Sequence, residues 1–252
     1  MCRIGTEKKE NFYTYGKAVN LYEPFKLLER EFDIALDPNC YYIFRFDGKH
    51  MTQDFKIKNE PIHKEFFKTM KDTFKEFCTP DKRILFAYSY SDEISILIKT
   101  DLKNTRYRLE KLLSLYSSEI SVLFYKNSLQ NHLQTKKIYV FDARAIKIER
   151  EQIKDYFIAR QAFAIDRYVM KLKNKYNINP QFKISTQVIK ALKEKGILYE
   201  TLPLEHRYGL IYHAKKEIKP FEFVAKEALL LNFLFGDEIK KENKKGKTKK
   251  IN

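Results

Sequence analysis

Two short acidic segments are the residues of this chain best suited to chemistry. Asp47-Gly48 ends an apolar, aromatic run, and Asp92-Glu93 lies between two further strand-like runs. Two carboxylates a few ångströms apart repel each other unless a cation lies between them. Such oxygen ligands suit Mg²⁺, which is commonly held by one or two carboxylates and the phosphates of a substrate. The pattern fits two-metal nucleotidyl transfer, although Asp-Gly and Ser-Asp-Glu are also ordinary turn sequences.

The two residues that follow Asp47 fit a phosphate site. Gly48 carries no side chain, so its carbonyl group and a triphosphate could approach each other closely. Lys49 comes next and could neutralise phosphate charge. A metal-dependent phosphate site and a plain turn therefore both stay open at this point.

The order of the elements predicts that the two acidic segments meet. Apolar spacing predicts strands from 41, 83, 94 and 137, and helices over 62–77 and 107–124. The order β-α-β-β-α-β is ferredoxin-like, an α+β fold with a four-stranded antiparallel sheet and two helices on one face. Its first and third strands are antiparallel neighbours, which brings the end of one, Asp47, to the start of the other, Asp92.

We expect four parts along the chain. A lead-in over 1–40 contains one short helix from Pro24, with that proline in its first turn. The sheet domain covers 41–148, and a mostly helical part over 149–237 packs on the sheet. A basic tail over 238–252 lacks apolar periodicity and is predicted to be disordered. The aromatic stripe of the first sheet helix, which includes Phe66, Phe67 and Phe74, should be core.

Composition narrows the partners and the compartment. The 252 residues include 49 Lys and Arg against 33 Asp and Glu, a formal net charge of +16 that favours polyanions such as nucleic acid. Three scattered cysteines form neither a disulfide framework nor a zinc site. No run of eighteen apolar residues and no signal-like leader occurs, so we expect a soluble, cytoplasmic protein without a membrane partner.

Six segments, in order, resemble the tRNA-His guanylyltransferase superfamily. They cover about 41–213, and together they are far more specific than any one alone. The segments are Arg45-Phe46-Asp47-Gly48-Lys49, Ala87-Tyr88-Ser89-Tyr90-Ser91-Asp92-Glu93-Ile94, Arg108-Leu109-Glu110-Lys111, Phe141-Asp142-Ala143-Arg144, Asp155-Tyr156-Phe157 with Arg160-Gln161, and Leu202-Pro203 with Arg207 and Gly209.

The resemblance implies a polymerase-like palm that extends tRNA in the 3′-to-5′ direction. In that family the 5′ end is activated with ATP or carries a triphosphate, and the 3′-hydroxyl of an incoming nucleotide attacks it. The expected cofactor is Mg²⁺, as two ions. The expected partners are tRNA, GTP, other NTPs and ATP, and the expected assembly is a homo-tetramer.

The resemblance also implies roles for particular residues. Asp47, the Gly48 carbonyl and Asp92 are the implied metal ligands, and Glu93 is a catalytic candidate beside them. Arg144 and Arg160 are candidates for binding tRNA or triphosphate, although buried ion pairs to Asp142 or Asp155 would account for them equally well. The implied nucleotide-binding residues are Asp47, Gly48, Lys49, His50, Met51, Thr52, Lys58, Ser91 and Asp92.

Three departures from the family pattern shape the functional hypothesis. Lys49 replaces an arginine, and the segment 58–61 is an altered form of the family's Lys-Pro-x-Asp. The His-Ile-Asn motif of enzymes specific for tRNA-His is absent after Gln161, where the chain reads Ala164-Ile165-Asp166. That resembles the guanylyltransferase-like proteins, whose activity is templated repair of 5′-truncated tRNA.

Three alternatives to templated repair stay open. The first is a tRNA-His guanylyltransferase that adds a single G. The second is a nucleotide cyclase, which shares the palm but has a Gly-Gly-Asp-Glu-Phe signature that this chain lacks. The third is a ferredoxin-like RNA-binding module, which predicts an RNP1-type aromatic motif that is also absent.

Overall fold

The computed structural model describes residues 15–31, 33–55, 60–79, 83–99, 108–213 and 220. The strands in these ranges are β1 (Tyr41–Gly48), β2 (Ile84–Tyr90), β3 (Glu93–Lys99), β4 (Phe141–Ile148) and β5 (Leu210–His213). The helices are α1 (Tyr15–Arg30), α2 (Met51–Asp54), α3 (Lys64–Cys78), α4 (Leu109–Gln130), α5 (Arg150–Lys175), α6 (Ser185–Glu194) and α7 (Leu204–Tyr208). A 3₁₀ turn lies at Tyr199–Thr201.

The strands form one antiparallel sheet in the order β4-β1-β3-β2-β5. The predicted β-α-β-β-α-β order and the α+β class are confirmed, with β1 and β3 as central neighbours. The edge strand β5 was not predicted, because its four residues lie in a region with helical spacing. It follows Gly209, whose φ of 73° ends α7 and turns the chain onto β2.

The sheet is covered on both faces. Alternate residues of β1, such as Phe44 and Phe46, pack with α3 and α4 in one core cluster. The residues between them, such as Ile43, pack with Phe157 and other residues of α5 in a second cluster. The helical segment after 149 therefore packs on the sheet as expected, and its long helix lies on the face that α3 and α4 leave open.

Several element boundaries differ from the sequence predictions; helix α4, for example, continues to Gln130 rather than ending at 124. Helix α1 begins at Tyr15, so Pro24 lies in its interior rather than in its first turn. Strand β4 begins at Phe141 rather than 137, and the Val140 carbonyl just before it accepts a hydrogen bond from the Lys49 N–H. The predicted tail lies outside the described residues. Within the described ranges, no helix has both the length and the apolar character needed to cross a membrane.

Gly209 gives a test of how β5 is held. A Cβ there would lie 2.5 Å from the Ser89 carbonyl oxygen and 2.9 Å from the Tyr88 ring, at a left-handed φ. We expect Gly209→Ala to lower the free energy of unfolding by about 2 kcal/mol or more, measured by urea denaturation. The matched control is Gly196→Ala, which has φ of 79° but no atom within 4 Å, so it carries backbone strain alone. Equal losses for the two variants would contradict the contact with Ser89.

Candidate active site

Three carboxylates lie abreast at one end of the sheet. In the antiparallel register, Asp47 of β1 is directly opposite Glu93 of β3 and, on its other side, Asp142 of β4. Directly opposed residues project from the same face, here the face covered by α5. Asp92 precedes Glu93, and its carbonyl oxygen accepts a 2.9 Å hydrogen bond from the Gly48 N–H. The acidic segments predicted to meet therefore do meet.

The glycine at position 48 is required by its protein neighbours. It is buried, and a Cβ there would lie 2.4 Å from the Met51 sulfur and 3.1 Å from the Asp92 Cβ. The sequence also predicts that this glycine allows the close approach of a triphosphate. The structure adds a second reason for a glycine at this position, because the end of β1, α2 and the acidic turn pack against one another there.

Asp47 lies in an unfavourable electrostatic environment. Partial burial raises the pKa of its carboxyl above the ordinary value, and the negative charges of Asp92 and Asp142 raise that pKa further. Arg45 and Arg144 lower the pKa of Asp47, but the net direction is upward. An ionised Asp47 is therefore destabilised by its neighbours, and a bound cation would relieve that repulsion.

The turn between β2 and β3 holds Asp92 in place. It consists of Ser91 and Asp92 alone, because Tyr90 already pairs with Glu93. Ser91 has φ of 56°, a left-handed conformation that is uncommon for a residue with a side chain. Asp92 is only 6% exposed. The tight turn thus fixes the second carboxylate at the mouth of the site.

The loop after Gly48 has two kinds of residue. Lys49 and His50 are exposed, and His50 has a left-handed φ of 62° at the start of α2. The Met51 side chain is fully buried under Gly48, so the prediction of a nucleotide contact there can hold only for its backbone. Thr52 follows within α2, and Lys58 lies outside the described residues.

A cavity of about 620 Å³ opens beside the acidic turn, with Ser91 at its edge. Its walls come from α3, α5, α7 and the ends of β2 and β5, and they combine aromatic rings with cationic side chains. The stacked rings of Phe55 and Phe66, 4.7 Å apart, form part of one wall. Other lining residues include Ile62, His63, Phe67, Met70, Lys71, Tyr90, Asp166, Arg167, Met170, Lys171, Asn174, Lys175 and His206.

The two arginines predicted to contact tRNA occupy different environments. Arg144 is exposed, and its Nε lies 3.9 Å from the carboxylate of Asp142, its expected partner. Arg160 does not pair with Asp155 as considered from the sequence. Its guanidinium donates to both carboxylate oxygens of Glu93, across from α5 to β3.

Sequence reasoning missed two parts of the site. Asp142 was seen as part of a motif, yet its place beside Asp47 follows only from the β1–β4 register. The cavity lining was missed because it comes from segments far apart in the chain, as with Phe67 and His206, whose rings are 4.8 Å apart. Phe66 and Phe74 are buried as expected, whereas Phe67 is a partly exposed wall of the cavity.

The donor set is suited to a cation that also binds a substrate. Among the described residues, no three His, Cys, Asp or Glu side chains are grouped as metal ligands. Two carboxylates, Asp47 and Asp92, and the backbone at Gly48 offer only oxygen atoms. Such a set fits Mg²⁺ when phosphate oxygens and water complete the coordination.

The antiparallel, palm-like sheet carries an acidic end beside an aromatic cavity, an arrangement suited to nucleotidyl transfer. The family described as tRNAHis guanylyltransferase (Thg1) matches residues 22–149, and the chain belongs to this family. A tRNA(His) guanylyltransferase of Candida glabrata is 29% identical over 228 residues, which cover 80% of this chain and 93% of that protein. The Saccharomyces cerevisiae tRNA(His) guanylyltransferase is 28% identical, with 77% and 90% covered.

Solved structures share the fold. A bacterial Thg1-like protein in complex with ATP superposes with a TM-score of 0.72 at 21% identity, covering 85% of this chain and 98% of that one. A bacterial Thg1-like protein in complex with GTP superposes with a TM-score of 0.66 at 21% identity, covering 86% of this chain and 99% of that one. The Saccharomyces cerevisiae enzyme gives 0.65 at 23% identity, covering 79% and 96%.

The repulsion at Asp47 predicts a stabilising substitution. A carboxyl whose pKa is higher in the folded state destabilises the fold once it is ionised. Asp47→Asn should therefore raise the melting temperature at pH 7 without divalent cations. We expect a few degrees at most, since 1 kcal/mol corresponds to about 2–4 °C at this size.

The pH dependence of this gain has a defined sign. The gain should be complete above the folded-state pKa and vanish below the ordinary value of 3.8, where Asp47 is protonated in both states. Differential scanning calorimetry from pH 3.5 to 7.5 measures it. A lower melting temperature at pH 7 would contradict the electrostatic account.

Proposed function

We propose that this protein adds nucleotides to the 5′ end of truncated tRNA in the 3′-to-5′ direction, with the acceptor strand as template. The observation that carries the proposal is the meeting of Asp47 and Asp92 at Gly48, on a palm-like sheet and beside a cavity large enough for a nucleotide. Membership of the tRNAHis guanylyltransferase family supports tRNA as the acceptor.

The acidic end would hold two Mg²⁺ ions through Asp47, Asp92 and the Gly48 carbonyl. When bound, such ions lower the pKa of an attacking 3′-hydroxyl and stabilise charge on a leaving pyrophosphate. The protein's own groups orient the reactants around these ions. Lys49 is exposed next to the acidic end and can contact the triphosphate as a point charge.

The cavity is proposed to receive the base and ribose of the activating nucleotide. The partly exposed ring of Phe67 offers apolar surface against which a purine can pack, and the lysines and the arginine that line the cavity suit its phosphates. The related bacterial structures hold ATP and GTP. Ser91 at the cavity edge would place the phosphates next to Asp92.

Templated repair is favoured by the residues on α5. Where enzymes specific for tRNA-His have their His-Ile-Asn motif, this chain has Ala164 and Tyr168 buried in its own core and Asp166 bonded to Ser185. These side chains serve packing and a local hydrogen bond. Addition of a single G to tRNA-His is the second candidate, because the curated relatives carry that name.

The two candidates predict different products. Purified protein is incubated with Mg²⁺, ATP and each NTP in turn, with tRNAs lacking the first 5′ nucleotide as monophosphate or triphosphate. Templated repair predicts addition only of the nucleotide complementary to the acceptor strand, whichever tRNA is used. Addition of G regardless of template, and only to tRNA-His, would replace repair with the second candidate.

Assembly as a homo-tetramer and a cytoplasmic location are proposed on the family resemblance alone. Light scattering coupled to size-exclusion chromatography tests the first, and a fluorescent fusion tests the second. The net charge of +16 supports binding of tRNA in either case.

Removal of Asp92 should separate chemistry from RNA binding. We expect Asp92→Ala to lower the rate of nucleotide addition by roughly 10³-fold or more, because electrostatic stabilisation of the transition state is lost. The dissociation constant for tRNA should change little. Glu76→Ala, on the outer surface of α3, removes an exposed ion pair with Lys126 and serves as the matched control. Retained activity of Asp92→Ala at saturating Mg²⁺ would refute the ligand assignment.

A further inference from the structure

We propose that Arg160 is a positioning residue that acts through Glu93 to fix the acidic turn, and that it does not contact tRNA. This inference rests on the proposed function of the site. It concerns a charged side chain of α5 that contacts Glu93, a member of the row of carboxylates.

The Arg160–Glu93 contact is bidentate. The Nε of Arg160 donates to Glu93 Oε1 at 2.9 Å, and a terminal nitrogen donates to Oε2. The two side chains are 25% and 14% exposed. A planar, two-point pair of this kind fixes the orientation of a carboxylate far better than a single hydrogen bond does.

The carboxylate of Glu93 has a further donor on its inner side. The Ser95 hydroxyl donates to Glu93 Oε1 at 3.3 Å and lies 3.0 Å from the Tyr156 hydroxyl, which comes from α5. Both oxygens of Glu93 are therefore occupied by protein donors. Arg160 and Tyr156, four residues apart on one helix, join α5 to β3 at this carboxylate.

The guanidinium of Arg160 is also covered from its own helix. Its central carbon lies 5.7 Å from the centre of the Phe163 ring, within the range of a cation–π contact. Glu93 on one side and Phe163 on another engage this cation within the protein. That arrangement leaves Arg144, which is exposed and only loosely paired, as the better candidate for an RNA phosphate contact.

The position of Glu93 explains why its anchoring matters. It lies directly opposite Asp47 in the sheet and directly follows Asp92, whose carbonyl accepts from the Gly48 N–H. Fixing Glu93 thus fixes the backbone that carries Asp92. Arg160 also neutralises the negative charge of Glu93 beside Asp47, whose carboxyl group already lies near the negative charges of Asp92 and Asp142.

The first measurement separates positioning from RNA binding. We expect Arg160→Ala to reduce kcat by roughly 10²-fold, the cost of a small displacement of catalytic groups. Its affinity for tRNA should stay within about twofold of wild type, with an unchanged salt dependence of binding. The matched variant Arg144→Ala reports what loss of a phosphate contact looks like, which is weaker binding and a salt slope smaller by about one. The same signature in Arg160→Ala would overturn the proposal.

The second measurement tests whether Arg160 acts through Glu93. In a double-mutant cycle with Glu93→Gln, the double variant should lose no more kcat than the worse single variant. If the fold-reductions in kcat of the two single variants multiply in the double variant, the two residues act independently, and the proposal is overturned. Arg160→Lys, which keeps the charge without the two-point geometry, replaces Arg160→Ala if the latter does not fold.

The two proposals fail in distinguishable ways. If wild-type protein adds no nucleotide to any tRNA, the proposed function has failed. The double-mutant cycle is then repeated with the free energy of unfolding as the measured quantity, for which a coupling between Arg160 and Glu93 is expected without any substrate. The salt dependence of RNA binding still decides whether Arg160 contacts RNA. Either an absent coupling or a reduced salt slope for Arg160→Ala would overturn the inference.

Discussion

The register between β1 and β3 is the constraint on which the site depends. It sets Asp47 opposite Glu93, and it brings the Asp92 turn within hydrogen-bond reach of Gly48. A slip of one residue would turn Asp47 towards the core that contains α3 and α4. Alternating burial along β1 specifies this register: Ile43 packs under α5, while Phe44 and Phe46 pack on the opposite face. A slip of one residue would move each of these side chains to the wrong face of the sheet.

Much of the site was predictable because local signals and topology agree. The turn residues at Asp47-Gly48 and Ser91-Asp92 end strands whose apolar patterns are clear, and the β-α-β-β-α-β order leaves little choice of partner. The antiparallel pairing then requires the two segments to meet. The family motifs indicate the same residues, so the strand pattern and the motifs both point to Asp47 and Asp92.

The remaining features depend on contacts that sequence spacing does not encode. Arg160 lies five residues after Asp155 and 67 residues from Glu93, so a local ion pair looked reasonable from the sequence, and only the packing of α5 against β3 selects the distant partner. The buried position of Met51 depends on the three-way contact at Gly48. Strand β5 is too short for a periodic signal, and the cavity is assembled from segments that are far apart in the chain.

The site concentrates unfavourable interactions that the rest of the fold must offset. Ser91 and His50 have left-handed backbone conformations, and Asp47 lies among like charges in a partly buried position. Burial of apolar side chains in the two clusters on either side of the sheet stabilises the fold and offsets the cost of this strain. The proposed role of these carboxylates in binding cations and a triphosphate would account for the retained strain.

The most direct test of this account is the position of bound metal ions. A crystal of the wild-type protein grown with Mn²⁺ and a non-hydrolysable GTP analogue would reveal them by anomalous scattering. The account predicts density about 2–2.3 Å from carboxylate oxygens of both Asp47 and Asp92, with Glu93 still paired to Arg160. Metal density at Glu93 or Asp142 without contact to Asp92 would contradict it.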